Sequence, residues 1–441
     1  MGRTALAFWL ALAWLAWPDA TSAQAKDAAP GERVSELLTR GAELRAVPVA
    51  ENVWLVSGNS NVYLVNTSEG AVLIDTGLGP QAARAHELLR KAVPDLRLRA
   101  IVLTHAHPDH VGGVSLWRSQ GVAAIAHRLF PERNRDQVRL MPFRDRRARV
   151  LWSGVMPEDP EEQGPPYAEI HPDILVDDQY SFHVGGLTFR ILATPGAEGP
   201  DALSVWLPSR RMLFVGDALG PTPGSFPNLF TLRGENLRLA VPLIDTLERL
   251  RTLRAEVLLP GHFEPITGKE RIDALLGHTA EAVRYVHDAT VAGMNEGQDL
   301  WTLMEEIRLP EELMVSEQYG RVAWGVRAIW ESYTGWFRYE STTELYALPP
   351  RAVYAELAEL AGGPGKLAER ASVHVVAGEP LRALHLAEVA LAADPDHAGA
   401  LEAQLAALER LAERDAGANF QISGWLRHRI AATRRALGRG E

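Results

Sequence analysis

Three histidines and an aspartate lie close together in the segment His105-Ala106-His107-Pro108-Asp109-His110. The segment follows an apolar run, residues 101–103, that is typical of a buried strand. Imidazoles and carboxylates at a strand end are poorly suited to packing and well suited to binding cations. His105 and His107 can point to one side of an extended segment, while Asp109 and His110 can reach a second ion from the turn. Two ions about 3.5 to 4 Å apart can share a water or hydroxide.

Four side chains do not complete a pair of metal ions, and three further candidates also follow predicted strands. Asp217 comes after residues 212–215, His262 after residues 257–259, and Glu198 after residues 189–192. Their shared placement at strand ends favours a common site. Alternatively, the two acids are ordinary loop carboxylates and His262 is a capping or hydrogen-bonding residue. Asp75 is interpreted as a carboxylate that orients the loop or a ligand histidine.

The elements that must position these side chains alternate between strands and helices. Three β-rich runs, residues 53–56, 61–65 and 71–74, predict a β-meander. A helix at 81–92 and a strand at 101–103 then change the order to βαβ. Further predicted elements are strands at 123–126, 187–192, 203–207, 212–215 and 257–259, and a helix at 237–253. Such an order predicts a layered α/β domain with helices outside its sheets.

After Gly268 the composition changes to Ala, Leu, Glu and Arg with nearly continuous helical spacing. Residues 377–411 predict one tetratricopeptide-like pair of helices, and one such pair is too little for a solenoid. Residues 319–337 carry several aromatic side chains. We interpret them as a buried helix in a core or dimer interface, with a pocket for a substrate chain as the alternative.

Composition excludes several classes of protein. The chain has 441 residues, of which 46% are hydrophobic, so two globular domains fit and disorder does not. Its net charge of −11 argues against a nucleic-acid partner. The absence of cysteine excludes disulfides, thiolate nucleophiles and cysteine metal sites, and leaves His, Asp and Glu for any metal chemistry.

The N-terminus predicts a secretory signal peptide at residues 1–23. Arg3 precedes an apolar run, residues 5–17, and small residues follow, with cleavage after Ala23 or Ala25. The alternative is a membrane anchor, but the run is shorter than the ~20 residues that a spanning helix needs. We therefore expect a periplasmic or secreted protein with no stable membrane anchor after cleavage.

The strand order and the His105-x-His107-x-Asp109-His110 motif resemble the metallo-β-lactamase superfamily. Residues 195–200 and 228–234, with Asp217 between them, and the helical half with Tyr319-Gly320 and residues 348–350, are similar to the type III alkyl sulfatases. The resemblance is to a short form with the family's dimerisation domain and without its sterol-carrier-like C-terminal domain. It implies an αββα sandwich catalytic domain at residues 36–268 and an all-helical dimerisation domain at residues 270–441, hence a homodimer.

By this resemblance each subunit binds two Zn²⁺ ions. The ligands of one are His105, His107 and Glu198, those of the other are Asp109, His110 and His262, and Asp217 bridges the two, although the family has Glu at that position. Asp109 and Asp217 are the predicted catalytic residues.

The same resemblance makes Arg233 the residue that grips the sulfate, Arg238 a second basic position and Asn228 a hydrogen-bond partner. Guanidinium groups fit oxyanions and stabilise their developing charge. The alternative for Arg233 is a surface salt bridge.

The sequence therefore predicts a two-zinc hydrolase of a small anionic sulfate ester, in which the shared hydroxide, or a water activated beside it, is the nucleophile. A first alternative keeps the metal site for a lactone, a β-lactam or another carboxyl-derived substrate and makes Arg233 dispensable. A second is a non-catalytic helical assembly module with a structural metal site. Seven candidate ligands exceed the four of a closed structural site, which argues against the second alternative.

Overall fold

The computed structural model describes residues 44–119, 121–152, 167–196, 198–235, 238–415 and 417–439. The predicted signal peptide and both of its cleavage sites lie outside the described residues. The strands are β1 (Ala46–Ala50), β2 (Val53–Ser57), β3 (Asn61–Thr67), β4 (Gly70–Ile74), β5 (Leu98–Val102), β6 (Ala123–His127), β7 (Ile174–Val176), β8 (Gln179–Val184), β9 (Leu187–Ala193), β10 (Leu203–Leu207), β11 (Met212–Gly216), β12 (Val257–Pro260) and β13 (Ile266–Thr267).

The strands form two sheets that pack face to face. The first sheet has the order β1-β2-β3-β4-β5-β6-β7, antiparallel as far as β4 and parallel from β4 to β7. The second has the order β13-β12-β11-β10-β9-β8 and is antiparallel except between β11 and β12. Side chains from both sheets, among them Val65, Val102, Phe189 and Phe214, form one apolar layer between them.

Helices cover the outer faces of both sheets. In this half of the chain they are α1 (Gly79–Ala92), α2 (Pro108–Val111), α3 (Val114–Trp117), α4 (Phe130–Arg139), α5 (Met141–Leu151) and α6 (Ala240–Thr252). Leu89 of α1 packs with Leu64 and Leu73 on the outside of the first sheet. Leu247 of α6 packs with Leu213 on the outside of the second. This arrangement is the predicted αββα sandwich.

The second half is helical, as the sequence predicts. Its helices are α7 (Lys269–Asn295), α8 (Leu300–Glu306), α9 (Val322–Thr334), α10 (Tyr354–Leu360), α11 (Pro364–Val376), α12 (Pro380–Ala393), α13 (Ala398–Asp415) and α14 (Phe420–Ala436), with short 3₁₀ turns at Glu311–Leu313, Thr342–Leu345 and Pro350–Val353. α12 and α13 are the predicted helical pair. None of the described helices is both long enough and apolar enough to cross a membrane.

The two halves share a hydrophobic core. Val283 of α7 and Val326 of α9 lie in the same cluster as Leu213 and Leu247 of the sandwich. The aromatic segment at 319–337 is buried in its first part and exposed in its last part. Val326 and Ile329 are buried, whereas Tyr333 and Trp336 are 57% and 68% exposed. Its first part therefore belongs to a core, as expected, and its last part presents aromatic side chains on the surface.

Candidate metal centre

The loops that follow β5, β9, β11 and β12 carry the predicted ligands, and they meet at one edge of the sandwich. Backbone hydrogen bonds tie these loops together. Gly261 N donates to Gly216 O over 2.7 Å, and Leu203 N donates to Thr104 O over 2.7 Å. The first bond joins two loops of the second sheet, and the second bond joins the two sheets, so together they bring residues from opposite sides of the sandwich into one cavity.

Asp109, His110, His262 and Asp217 form the first group of donors. His262 Nε2 lies 3.4 Å from Asp109 Oδ2 and 3.2 Å from Asp217 Oδ2. His110 Nε2 lies 3.5 Å from the same two oxygens. All but Asp109 are buried. Asp217 Oδ2 thus lies within reach of both imidazoles, and Asp217 also converges with His105 and His110, which places it between the two predicted metal positions.

His105, His107 and Glu198 form the second group. His105 Nε2 lies 2.9 Å from His107 Nδ1, and His107 Nδ1 lies 3.5 Å from Glu198 Oε1. The carboxylate of Glu198 is also bound by two arginines, and His107 converges with Glu235 as well as with Glu198. The structure therefore brings all seven predicted ligands to one edge of the sandwich and adds Glu235 beside them.

In each of these histidines the ring nitrogen that points away from the cavity has its own hydrogen-bond acceptor. His110 Nδ1 donates to Asp75 Oδ2 over 2.8 Å, and His262 Nδ1 donates to Asn59 O over 2.6 Å.

Thr104 Oγ1 donates to Asp75 Oδ2 and therefore accepts from His105 Nδ1, over 3.0 Å. His107 Nε2 donates to Glu235 Oε1 over 2.9 Å. An imidazole that donates from one nitrogen presents a lone pair at the other, so all four histidines present lone pairs to the cavity.

This arrangement of lone pairs favours bound cations. His105 Nε2 and His107 Nδ1 face each other without a hydrogen between them in these tautomers. His110 Nε2 and Asp217 Oδ1 are buried and have no hydrogen-bond partner. An unpartnered buried acceptor is costly, and a metal ion satisfies it by binding the lone pair. The nitrogen and carboxylate donors suit Zn, Mn or Fe.

The charges in the cavity shift the pKa values of these side chains in opposite directions. Burial acts to raise the pKa of Asp217, but His262 and His110 outweigh it and hold that pKa well below its ordinary value. Burial acts to lower the pKa of His110, but Asp217, Asp109 and Asp75 raise it well above its ordinary value. Burial and the neighbouring histidines lower the pKa of His105. The cavity around Asp217 thus favours positive charge.

The backbone around the site is tightly constrained. A Cβ atom on Gly261 would collide with Asp217 Oδ1 and lie 2.8 Å from His110 Cε1. Gly216 has φ +50°, and Asp75 adopts the left-handed region with φ +58° although it is not a glycine. Strained conformations of this kind persist where the surrounding structure fixes them.

An ion-pair network adjoins the second group of donors. Arg238 holds Glu198 with two hydrogen bonds, of 2.7 Å to Oε2 and 2.8 Å to Oε1. Arg233 Nη2 donates to Glu198 Oε1 over 3.1 Å, and both arginines donate to Glu235 Oε2, over 3.0 Å and 2.9 Å. Arg233 Nη1 also donates to the hydroxyl of Tyr319, from the helical half, over 2.7 Å. Arg233 is thus in a salt bridge, but one that is largely buried.

Asn228 and Arg144 complete the surroundings of this network. Asn228 is buried, and neither its Oδ1 nor its Nδ2 has a hydrogen-bond partner. Arg144 of α5 lies close enough to Glu235 and Arg233 for their charges to affect its pKa, which burial lowers. The two predicted sulfate-binding arginines therefore lie together next to the metal donors, with a free side-chain amide beside them.

Comparison with known proteins agrees with this architecture. Residues 56–262 match the metallo-beta-lactamase superfamily, and residues 301–423 match the alkyl sulfatase dimerisation domain. The chain thus contains a metallo-beta-lactamase domain followed by an alkyl sulfatase dimerisation domain. It is an alkylsulfatase-like hydrolase of that fold.

Curated relatives match most of the chain. A linear primary-alkylsulfatase of Pseudomonas sp. is 29% identical over 81% of this chain and 71% of its own length. An alkyl/aryl-sulfatase of Saccharomyces cerevisiae is 25% identical over 90% of this chain and 65% of its own length. The inverting sec-alkylsulfatase structure from Pseudomonas sp. superposes with a TM-score of 0.79 at 21% identity and covers 93% of this chain and 68% of its own chain. The chain thus spans about two thirds of the length of these proteins.

A metallo-beta-lactamase domain implies a divalent metal, and the orphaned Nε2 of His110 and Oδ1 of Asp217 fit that implication. Sequence reasoning missed Glu235, which contacts His107, Arg233 and Arg238. It also missed Tyr319 as a site residue, since only the fold brings it to Arg233. The sequence held a weak indication for Glu235, because this residue lies between Arg233 and Arg238, the two arginines that the resemblance had assigned to sulfate binding.

Proposed function

We propose that this chain is a zinc-dependent hydrolase of alkyl sulfate monoesters that binds two metal ions per subunit. The observation that carries the proposal is the direct contact between the predicted metal ligand Glu198 and the two guanidinium groups of Arg233 and Arg238. The carboxylate of Glu198 thus belongs both to the donor set for two cations and to the pair of planar guanidinium groups that can bind an anion. This arrangement suits an ester with an anionic head group.

His105, His107, Glu198, Asp109, His110, His262 and Asp217 are the residues that would hold the two metals. Bound there, the metals would supply an activated water and would offset negative charge on the ester oxygens. Asp75, Thr104 and Asn59 O fix the tautomers that direct the histidine lone pairs inward. Their role is to keep the donor geometry rigid before substrate binds.

Arg233, Arg238 and Asn228 are the residues proposed to bind the sulfate group. The guanidinium groups are largely buried, and their side chains are 14% and 4% exposed. Charged hydrogen bonds are stronger in such surroundings than in water. The unpartnered amide of Asn228 offers a donor to a sulfate oxygen. Tyr319 positions Arg233 through its hydroxyl.

The test is release of inorganic sulfate by the zinc-loaded mature protein from alkyl sulfates of short, medium and long chains. We expect release from at least one of them, and Arg233→Ala should lower kcat/KM by roughly a hundredfold, as expected for loss of a group that stabilises developing charge. Asp217→Ala should abolish turnover and lower the metal content.

Arg284→Ala is the matched control, because Arg284 pairs with Glu248 on the surface of the helices, and it should behave as wild type. Turnover of a lactone or β-lactam without sulfate release, unaffected by Arg233→Ala, would replace this proposal with the carboxyl-substrate alternative. Absence of any turnover in a protein that holds two metals per chain would refute the sulfate-ester proposal.

We also propose that the chain is a homodimer that is exported to the periplasm or secreted. The alkyl sulfatase dimerisation domain supports the first part. The signal-peptide pattern supports the second, and N-terminal sequencing of protein from the periplasm and medium tests it. A mature N-terminus at Gln24 or Lys26 is the expected result, and an intact cytoplasmic chain would contradict it.

A further inference from the structure

Glu235 has more contacts than are needed to fix the tautomer of His107. Its Oε1 accepts from His107 Nε2 over 2.9 Å, and its Oε2 accepts from Arg233 and Arg238. Its backbone N–H donates to Thr231 Oγ1 over 3.0 Å, which anchors the residue in its loop. Its side chain is only 10% exposed. A fixed, buried negative charge therefore lies against both guanidinium groups and a metal ligand.

We propose that Glu235 is a specificity-determining residue that makes the site prefer a monoanionic ester to a dianion. The proposal rests on the proposed function, because it concerns the anion that would bind between the metal donors and the two arginines. Glu235 touches His107 on one side and both arginines on the other. Any anion that spans these two parts of the site has the carboxylate as a close neighbour.

The argument is one of charge. The unfavourable interaction with a fixed negative charge grows in proportion to the charge of the ligand, so it acts about twice as strongly on a dianion as on a monoanion. An alkyl sulfate carries one negative charge. An alkyl phosphate at pH 8 carries about two, since its second pKa is about 6. Inorganic sulfate, the product, also carries two.

The local count of charges is consistent with this preference. Arg144, Arg233 and Arg238 supply three positive charges, and Glu198 and Glu235 supply two negative charges. These five groups sum to +1 with Glu235 and to +2 without it. The proposed metal ions and their other ligands add the same charge in both cases, so removal of Glu235 makes the site more positive by one charge. Glu235 therefore acts against phosphate esters and favours release of the sulfate product.

Binding titrations that need no turnover test the inference. Hexanesulfonate is an inert monoanion and hexyl phosphate a dianion with the same chain, and both are titrated calorimetrically at pH 8 into metal-loaded wild type and Glu235→Gln. The glutamine retains the shape and an acceptor for His107 and removes the charge. We expect the preference for hexanesulfonate over hexyl phosphate to fall by roughly tenfold or more. Inorganic sulfate should also bind more tightly to the variant.

Two controls accompany the titration. Glu235→Asp keeps the charge and should keep most of the preference. Glu248→Gln removes a carboxylate that also pairs with two arginines, Arg251 and Arg284, away from the site, and should change nothing. The metal content of each protein is measured alongside.

An unchanged preference in Glu235→Gln would overturn the inference. So would weaker binding of both ligands, with or without loss of metal, because it would show that Glu235 only holds His107 and the arginines in place. Failure of the proposed function is a separate result. It would appear as absence of alkyl sulfate hydrolysis by wild type, whatever the titrations give.

Discussion

Asp75 allows a sharp test of how the metal donors are organised. Its Oδ1 accepts from Thr104 N over 2.8 Å, and its Oδ2 accepts from Thr104 Oγ1 over 2.7 Å and from His110 Nδ1 over 2.8 Å. Asp75→Asn keeps one acceptor oxygen and replaces the other with an amide that can only donate. Both His110 and, through the Thr104 hydroxyl, His105 are then driven to the opposite tautomer, which turns an N–H toward the cavity.

The expected effect follows from the lost charge. Hydrogen bonds to charged groups contribute about 1.5–3 kcal/mol each, and bonds between neutral groups about 0.5–1.5 kcal/mol. Since the three bonds from Thr104 and His110 to residue 75 all become neutral, we expect a loss of about 3 kcal/mol in the unfolding free energy of the metal-free protein, about 1 kcal/mol from each bond. Loss of a partner that orients a metal ligand typically lowers metal affinity roughly ten- to a hundredfold.

The assay is metal retention by mass spectrometry after dialysis against graded chelator, with urea unfolding of the metal-free protein in parallel. Asp136→Asn is the control, because Asp136 is a buried carboxylate that pairs with Arg133 and lies outside the metal site. It should cost stability and leave metal retention unchanged. If Asp75→Asn retained both metals as well as wild type does, the tautomer argument would be refuted.

Three further predictions come from the same structure. Gly261→Ala should fold but lose metal affinity, measured by the same dialysis, because its Cβ would displace Asp217 and His110; normal metal binding would contradict the crowding seen there. Burial raises the pKa of Asp201 from an ordinary 3.8 to about 6, so the native state binds this proton more tightly than the unfolded chain and loses stability as pH rises toward and through 6. Asp201→Asn removes that dependence and, relative to wild type in metal-free urea unfolding, should gain about 2 kcal/mol between pH 4.5 and pH 7; a difference independent of pH would refute it. Leu360 and Val376 of the helical half are 84% and 89% exposed, so the double variant Leu360→Asp, Val376→Asp should convert the proposed dimer to monomers, as measured by light scattering. Leu175→Asp in the sandwich is the control and should leave the dimer intact, and a dimer that persists in the double variant would exclude the surface around Leu360 and Val376 as the interface.

The strands that carry the donors could be predicted because each is an apolar run that ends at a chemically distinct residue. Residues 212–215 and 257–259 were predicted as strands, and the structure has β11 and β12 there. Other elements were missed. β8 lies at a sheet edge and was missed although its polar and apolar residues alternate strictly, which is typical of a half-buried strand. α5 is rich in arginine and its hydrophobic residues show little helical periodicity, so its sequence signal is weak.

The partners of the predicted site residues were harder to predict than the residues themselves. The histidine motif is visible because its members are neighbours in sequence. The pairs Arg233 with Tyr319 and Arg238 with Glu198 join residues 86 and 40 positions apart, and only the fold brings them together. Side chains in long-range ion pairs carry no local signal, since an isolated Glu or Arg in a loop is usually solvated. Glu235 is the example with most consequence for function.

The helical half is part of the site rather than an appendage to it. Tyr319 binds Arg233, and its backbone oxygen accepts from Asn419 Nδ2 and Gln421 Nε2, the latter on α14. That helix packs on α5, where Gly424 allows close approach to Leu151. α5 in turn carries Arg144, which lies close enough to Glu235 for their charges to interact. The position of Arg233 therefore depends on contacts between the two halves of the chain. Because the halves also share one hydrophobic core, separating them would both expose apolar surface and release Arg233 and Arg238 from their partners.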